Sequence, residues 1–243
     1  MRKDGRFASQ ARPVRYVPNF TKNALGSVLI EQGNTVVLCT ITCDDGVPGW
    51  MRSERHQRGW LTAEYCMLPS ATHTRNKRER GFTSGRSQEI QRLIGRSLRG
   101  VVDLSKCPDM TFNVDCDVLQ ADGGTRTTAI TGGWVALKIA IDKLLRSGRL
   151  KQNPLVENVS AISVGVASGE VLVDLDYEED SSVDVDMNFV ITQSGKILEL
   201  QGTAEGCGLD PETLPKMVEA ARGAIQPSFE LQQLAADGQE VEG

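Results

Sequence analysis

The stretch from Met110 to Leu145 constrains this chain most, because its hydrophobic period changes once and sharply. In Met110-Thr-Phe-Asn-Val-Asp-Cys-Asp-Val-Leu119, Phe112, Val114, Cys116 and Val118 alternate with Asn113, Asp115 and Asp117. That is the period-two pattern of a strand with one buried face. From Ala129 to Leu145 the sequence is apolar around most of a helical circumference, which predicts a buried helix. Between them lies Gln120-Ala-Asp-Gly-Gly-Thr-Arg-Thr-Thr128. Gly123-Gly124 permits a tight turn with no Cβ in the way of a ligand, and Thr125 to Thr128 open the helix. A helix start offers unpaired N–H groups and partial positive charge, and Arg126 adds a planar fork suited to two phosphate oxygens. Taken alone, the stretch reads first as a Thr-capped helix after an ordinary turn, with Arg126 solvated, and second as an anion site.

The 243 residues suffice for one large or two small domains, and 40% hydrophobic with 24% charged residues is the balance of a globular protein. No apolar run approaches the ~18 residues of a membrane span, and no signal-peptide pattern follows Met1. No membrane association is expected. Six cysteines without a Cys-x-x-Cys, and only His56 and His73 beside them, make a zinc site improbable and point to reduced thiols in a cytoplasmic protein. The net charge of −5 is divided: residues 1–100 carry 17 basic and 8 acidic side chains, residues 101–243 carry 10 and 24. A basic half is a feature of nucleic-acid binders; solvated surface is the alternative.

Residues 2–14 are polar and basic and are expected to lie extended over the surface. Gly26–Glu31 and Thr35–Cys43 read as a hairpin, with Val36-Val37-Leu38 expected to be covered on both faces. The segment 69–86 has no apolar period and concentrates Arg75, Lys77, Arg78, Arg80 and Arg86 around Phe82. Contact with RNA or DNA and a solvated basic loop are level readings. Gln88–Val102 carries Ile90, Leu93, Ile94, Leu98, Val101 and Val102 at helical spacing, with Arg92, Arg96 and Arg99 elsewhere on the wheel as solvated surface. Further on, Asp184, Asp186 and Asn188 alternate with Val183, Val185 and Met187, so a strand would gather them on one face, with Asp180 in the turn before. Crowded carboxylates favour a hard cation such as Mg²⁺; a solvated acidic hairpin is the level alternative. Asp210-Pro211 reads as a helix start, and the chain from Gln226 is expected to fray. The order of elements predicts an α+β fold, mostly antiparallel, with helices packed on one side. It reads as a single domain over 1–243 with loosely duplicated halves, 1–105 and 106–230, and a polar tail, 231–243.

Taken together, these segments resemble the ribonuclease PH family. The likeness runs through Arg2-x-Asp-Gly-Arg6, Arg12-Pro-Val14, Thr62-Ala-Glu-Tyr65, Met67-Leu-Pro69, Gly85-Arg86 and Glu89–Arg99. It continues through Asp115–Arg126, Asp174-Leu-Asp-Tyr-x-Glu-Asp180, Asp186-Met-Asn188 and Glu199–Glu205. The resemblance implies a ribonuclease PH-type fold, like domain 2 of ribosomal protein S5, and a homohexamer built as a trimer of dimers. It implies a phosphorolytic exoribonuclease acting on tRNA precursors and other RNA 3′ ends, with inorganic phosphate as co-substrate and Mg²⁺ as cofactor. By that likeness Arg86, Gly124, Thr125 and Arg126 bind phosphate, and Asp180 and Asp186 bind the metal. Arg86, Arg126, Asp180 and Asp186 are then the catalytic set, and Arg75, Arg78 and Arg80 grip RNA. Ser70, Phe82, Trp134 and Cys207 depart from the family pattern, at places that concern RNA grip and subunit packing. A catalytically silent RNA-binding ring subunit is the alternative, although such a subunit would be expected to lack the arginines or carboxylates present here. A small-molecule phosphotransferase ranks lower, because no Gly-x-x-x-x-Gly-Lys-[Ser/Thr] occurs.

Overall fold

The period-two segments form two sheets. In the computed structural model, which describes residues 2–51, 58–79, 83–204 and 208–243, the first sheet is built from six strands. These are β1 (Val14–Pro18), β2 (Gly26–Gln32), β3 (Thr35–Asp45), β4 (Trp60–Met67), β5 (Met110–Gln120) and β10 (Val241–Glu242), in spatial order β10-β1-β2-β3-β5-β4. All neighbours are antiparallel except β4 and β5, which are parallel and joined by a crossover containing α1 (Gly85–Arg99). In β5 the predicted alternation holds: Phe112, Val114, Cys116 and Val118 are buried, and Asn113, Asp115 and Asp117 only half so. The run Val36-Val37-Leu38 differs from expectation. Val37 is buried, but Val36 and Leu38 are half-exposed, because helices cover only one face of this sheet.

The Ser84 side chain accepts from the Ser87 N–H to begin α1, and Ile90, Leu93, Ile94 and Leu98 then pack into the main core. Two of its arginines are not free surface. Arg96 pairs with Glu199, and the Arg99 guanidinium lies 4.7 Å from the ring centre of Trp60. Helix α2 (Thr125–Arg146) is buried along most of its circumference, as its sequence predicts. It touches β2, β3 and β5 of the first sheet and also β6 (Val159–Ala167) and β8 (Val185–Thr192) of the second. A Cβ at Gly26 would lie 2.1 Å from the Ala136 carbonyl oxygen, so only glycine lets helix and strand approach this closely. Trp134 is accommodated: it is buried, and its indole N–H donates to the Glu157 carbonyl at 3.3 Å.

The second sheet has the order β7-β6-β8-β9, with β7 at Glu170–Val173 and β9 at Ile197–Ala204. Its own core joins Val164, Phe189 and Ile191 to Met217, Ala221, Ile225 and Phe229 of α4 (Leu214–Ala236). Asp210-Pro211 makes a side-chain-bonded turn rather than the helix start: Asp210 Oδ1 accepts from the Glu212 N–H at 3.0 Å, and α4 opens at Leu214 with Pro215 in its first turn. The chain does not fray from Gln226. Helix α4 runs to Ala236, where Ala235 and Ala236 remain buried, and β10 then pairs with β1. The described cysteines, Cys39, Cys43, Cys66, Cys107 and Cys116, are free thiols. No described helix is long and apolar enough to cross a membrane.

Candidate active site

The Gly123-Gly124 turn is forced by what surrounds it. Both glycines have positive φ, 72° and 63°, and a Cβ at Gly123 would sit 2.3 Å from the Leu175 carbonyl oxygen. Thr35 Oγ1 donates to the Gly123 carbonyl at 2.6 Å and accepts from the Asp122 N–H at 3.0 Å. Gly124 is then the N-cap of α2, so no side chain covers the first N–H groups of this 22-residue helix, and its first turn holds no acidic residue. Uncovered N–H groups beside an arginine suit an anion.

The arginine itself is braced. Arg126 Nη1 donates to Gln201 Oε1 at 3.1 Å and lies 3.5 Å from Glu89 Oε1, while Gln201 Nε2 donates to the same Glu89 oxygen. Thr125 Oγ1 is hydrogen-bonded at 2.8 Å to the hydroxyl of the buried Tyr65. Burial pushes the Tyr65 phenol up, with the Thr125 bond and the charges of Arg86 and Arg126 opposing. The sequence by itself assigns no role to Gln201, Glu89 or Tyr65. Each lies in a segment that matches the family, and that is the only signal they carry.

Opposite the turn, α3 (Tyr177–Asp180) ends at Asp180, and β8 carries Asp186 and Asn188. Burial raises the Asp186 carboxyl to about 6; the Asp180 carboxylate adds to the rise and Arg126 opposes it. Asp186 Oδ1 is buried without a hydrogen-bond partner among the described residues. A buried, unpartnered carboxylate oxygen next to a second carboxylate is what a divalent cation would satisfy. No group of three or more His, Cys, Asp or Glu among the described residues is arranged to hold a metal; the pair Asp180 and Asp186 supplies two carboxylates, a number that Mg²⁺ can take while keeping its waters. Asp184 accepts from the Ser168 N–H at 3.2 Å.

These groups share one cleft of about 490 Å³, lined by Arg86, Gly124, Thr125, Arg126, Asp180, Asp184 and Asp186. A larger cavity, about 560 Å³, lies beside α4 and contains none of those arginines or the Asp180–Asp186 pair. Arg86 stands exposed on the first turn of α1, without an ion pair among the described residues. Arg75 and Arg78, unlike Arg86, are not part of the cleft lining; from their segment Thr72 and Asn76 line it instead. Arg80 lies outside the described residues.

The N-terminal segment lies over the surface as expected, with Lys3, Asp4, Phe7 and Gln10 exposed, but two of its arginines turn inward: Arg6 and Arg12 are 8% and 6% exposed. Arg12 grips the 2% exposed Asp174 through Nε and Nη2, at 2.9 and 2.6 Å, and donates to the Asp122 carbonyl at the phosphate turn. Burial alone would raise the Asp174 carboxyl, but the Arg12 bonds hold it below its usual range. Arg2 binds both Glu179 oxygens, at 2.6 and 2.5 Å, and with Arg6 holds the Asp174 carbonyl. Asp174 adopts φ 55°, a left-handed conformation unusual for a side-chain-bearing residue. Arg2 and Arg6 thus fix the turn that bears the acids, and Arg12 ties it to the turn that precedes α2.

The model of domain 1 of the 3′ exoribonuclease family matches residues 10–141, and that of domain 2 matches residues 157–224. Among solved structures, rice (Oryza sativa) Rrp46 is similar over 97% of this chain and 100% of its own, with a TM-score of 0.77 and 21% identity. The Archaeoglobus fulgidus exosome with RNA bound to the active site covers 96% of this chain and 91% of its own, at 0.77 and 23% identity. An archaeal exosome core gives the same coverage and TM-score at 21% identity. At these identities the likeness to solved structures is one of fold.

Proposed function

The chain belongs to the 3′ exoribonuclease family, the ribonuclease PH family, and from that premise we propose that it shortens RNA from the 3′ end by phosphorolysis. The substrates are tRNA precursors with 3′ extensions and other RNA 3′ ends, and the working form is a cytoplasmic homohexamer, a trimer of dimers. One observation carries the reading: an uncapped helix start with Arg126, and the carboxylates Asp180 and Asp186, line the same cleft.

In this mechanism inorganic phosphate sits at Gly124, Thr125 and Arg126, with Arg86 closing from α1. Two anions must approach each other, and fixed N–H groups and guanidinium charges offset their repulsion and set the line of attack. A phosphate oxygen bonds to the phosphorus of the last phosphodiester, and the bond to the penultimate 3′ oxygen breaks. A proton brought in by hydrogen phosphate ends on the new 3′ hydroxyl, and a nucleoside diphosphate leaves. Asp180 and Asp186 would hold Mg²⁺, which when bound supplies positive charge beside the scissile phosphate. An ester is exchanged for an anhydride of similar standing, so excess diphosphate should reverse the reaction and lengthen the RNA.

The test is a tRNA carrying a short 3′ extension, incubated with Mg²⁺ and with or without phosphate. Nucleoside diphosphates released only with phosphate are the expected result. Monophosphates released without phosphate would make water the nucleophile. RNA bound but intact in both reactions would identify a catalytically silent ring subunit.

A further inference from the structure

We propose that Tyr177, braced by His73, is the platform on which the base at the RNA 3′ end stacks; this rests on the function proposed above. Tyr177 is the one aromatic among the described residues that line the cleft, and it is 55% exposed. The other two tyrosines, Tyr16 and Tyr65, are at 0% and 2%, each in the core. A large ring left in water beside a polar cleft has no packing role to explain it there. Phe7, Phe20 and Trp50 are also exposed, but none of them lines the cleft.

The root of the side chain is fixed. Tyr177 opens α3, whose N-cap Asp176 and Glu179 form a reciprocal capping box, and its N–H donates to Asp122 Oδ1 at 3.3 Å. The root of Tyr177 therefore stands between the phosphate turn, through Asp122, and the acidic pair, with Asp180 at the other end of the same short helix. His73, on the basic segment, meets it edge to face, with ring centres 6.4 Å apart and planes at 61°. Edge contact braces a ring while leaving a face for a third partner.

The chemistry fits an enzyme that must remove whichever nucleotide comes next. Every base has a π face, so stacking holds the end of the strand without reading its sequence, whereas hydrogen bonds to base edges would select. The single helical turn from Tyr177 to Asp180 then sets base and scissile phosphate on neighbouring walls of one cleft.

The experiment uses a short RNA with the fluorescent adenine analogue 2-aminopurine at its 3′ end, titrated with protein and Mg²⁺ without phosphate. Wild type is expected to quench the label, and Tyr177→Ala to lose the quench and bind roughly tenfold more weakly, in line with the cost of losing one stacked base. Tyr177→Phe should restore both, since it keeps the ring, and His73→Ala should give a partial loss. Equal thermal midpoints for the three variants would separate stacking from folding. If Tyr177→Ala keeps the quench and the affinity while wild type releases diphosphates, the platform is disproved and the enzyme reading stands. If wild type neither binds the RNA nor releases diphosphates, the enzyme reading fails, and the platform with it.

Discussion

Two basic regions flank the cleft and are built in opposite ways. On the side of the α2 start, Arg12 and Arg126 are held by carboxylates, amides and carbonyls, and the turn between them admits no side chain at Gly123. On the other side, Arg75, Lys77 and Arg78 are exposed and form no ion pair among the described residues. The difference follows the two tasks. A reacting phosphate demands position to within a fraction of an ångström, so the ligands on the α2 side are immobilised beforehand, while Arg86 on α1 is left exposed. A passing RNA backbone demands only positive charge, which works equally well from mobile, hydrated side chains.

The largest expected effect comes from cutting the brace. Arg12→Ala leaves the buried Asp174 with Arg6 at 3.7 Å, the Gln32 amide and the backbone N–H of residue 12, but without its two-point guanidinium partner, and should cost about 3 kcal/mol in chemical denaturation. Asp174→Asn is the gentler partner, because asparagine tolerates the left-handed backbone while losing the charge. A loss below ~1 kcal/mol from both variants would mean that the turn holds itself, and the contrast between the two sides would collapse.

Next in size is Arg126→Ala, expected to lower nucleoside diphosphate release at least ~10²-fold with folding and RNA retention kept, the usual scale for losing one fixed charge-stabilising donor. Full activity in that variant would remove the phosphate assignment. A smaller effect concerns pH. The folded Asp186 titrates at about 6, against 3.8 for the free carboxyl, so between those values the folded state holds a proton that the unfolded chain does not. Without Mg²⁺, stability should therefore rise as pH falls from 7 towards 4, and Asp186→Asn should flatten that rise in a thermal melt series. An unchanged slope would show that the pair of acids is hydrated and already relaxed. The smallest effects are expected from Arg75→Ala and Arg78→Ala: a severalfold weaker grip on RNA, with the salt slope reduced by ~0.7 for each phosphate no longer neutralised. Stability should stay within ~0.5 kcal/mol, as for surface changes generally. A larger destabilisation would mean that the second region is braced after all.

What is local in this fold is legible in the sequence. The period of β5, the apolar stripe of α1 and the burial of α2 can be read because each depends on neighbours a few residues away. The convergence of Gly124, Arg126, Asp180 and Asp186 can be read only through family likeness, since nothing in the spacing brings β8 to the start of α2. Arg6 and Arg12 look like surface because their partner, Asp174, lies 162 residues beyond Arg12, and a lone arginine does not announce an ion pair. Val36 and Leu38 mislead for a related reason: an apolar run does not say how many faces of its sheet are covered.

Helix α2 has one more consequence. The two family-model matches part between residues 141 and 157, yet α2 runs on to Arg146 and forms the floor of both sheets. Thr131 meets Ser160, Trp134 reaches Glu157, and Gln232 of α4 donates to Thr131 and Val159. Neither half can shed the other without uncovering a helix that is apolar almost all round. The helix that closes the first match is, for folding, the keel of both halves, and the molecule should unfold in one cooperative transition rather than two.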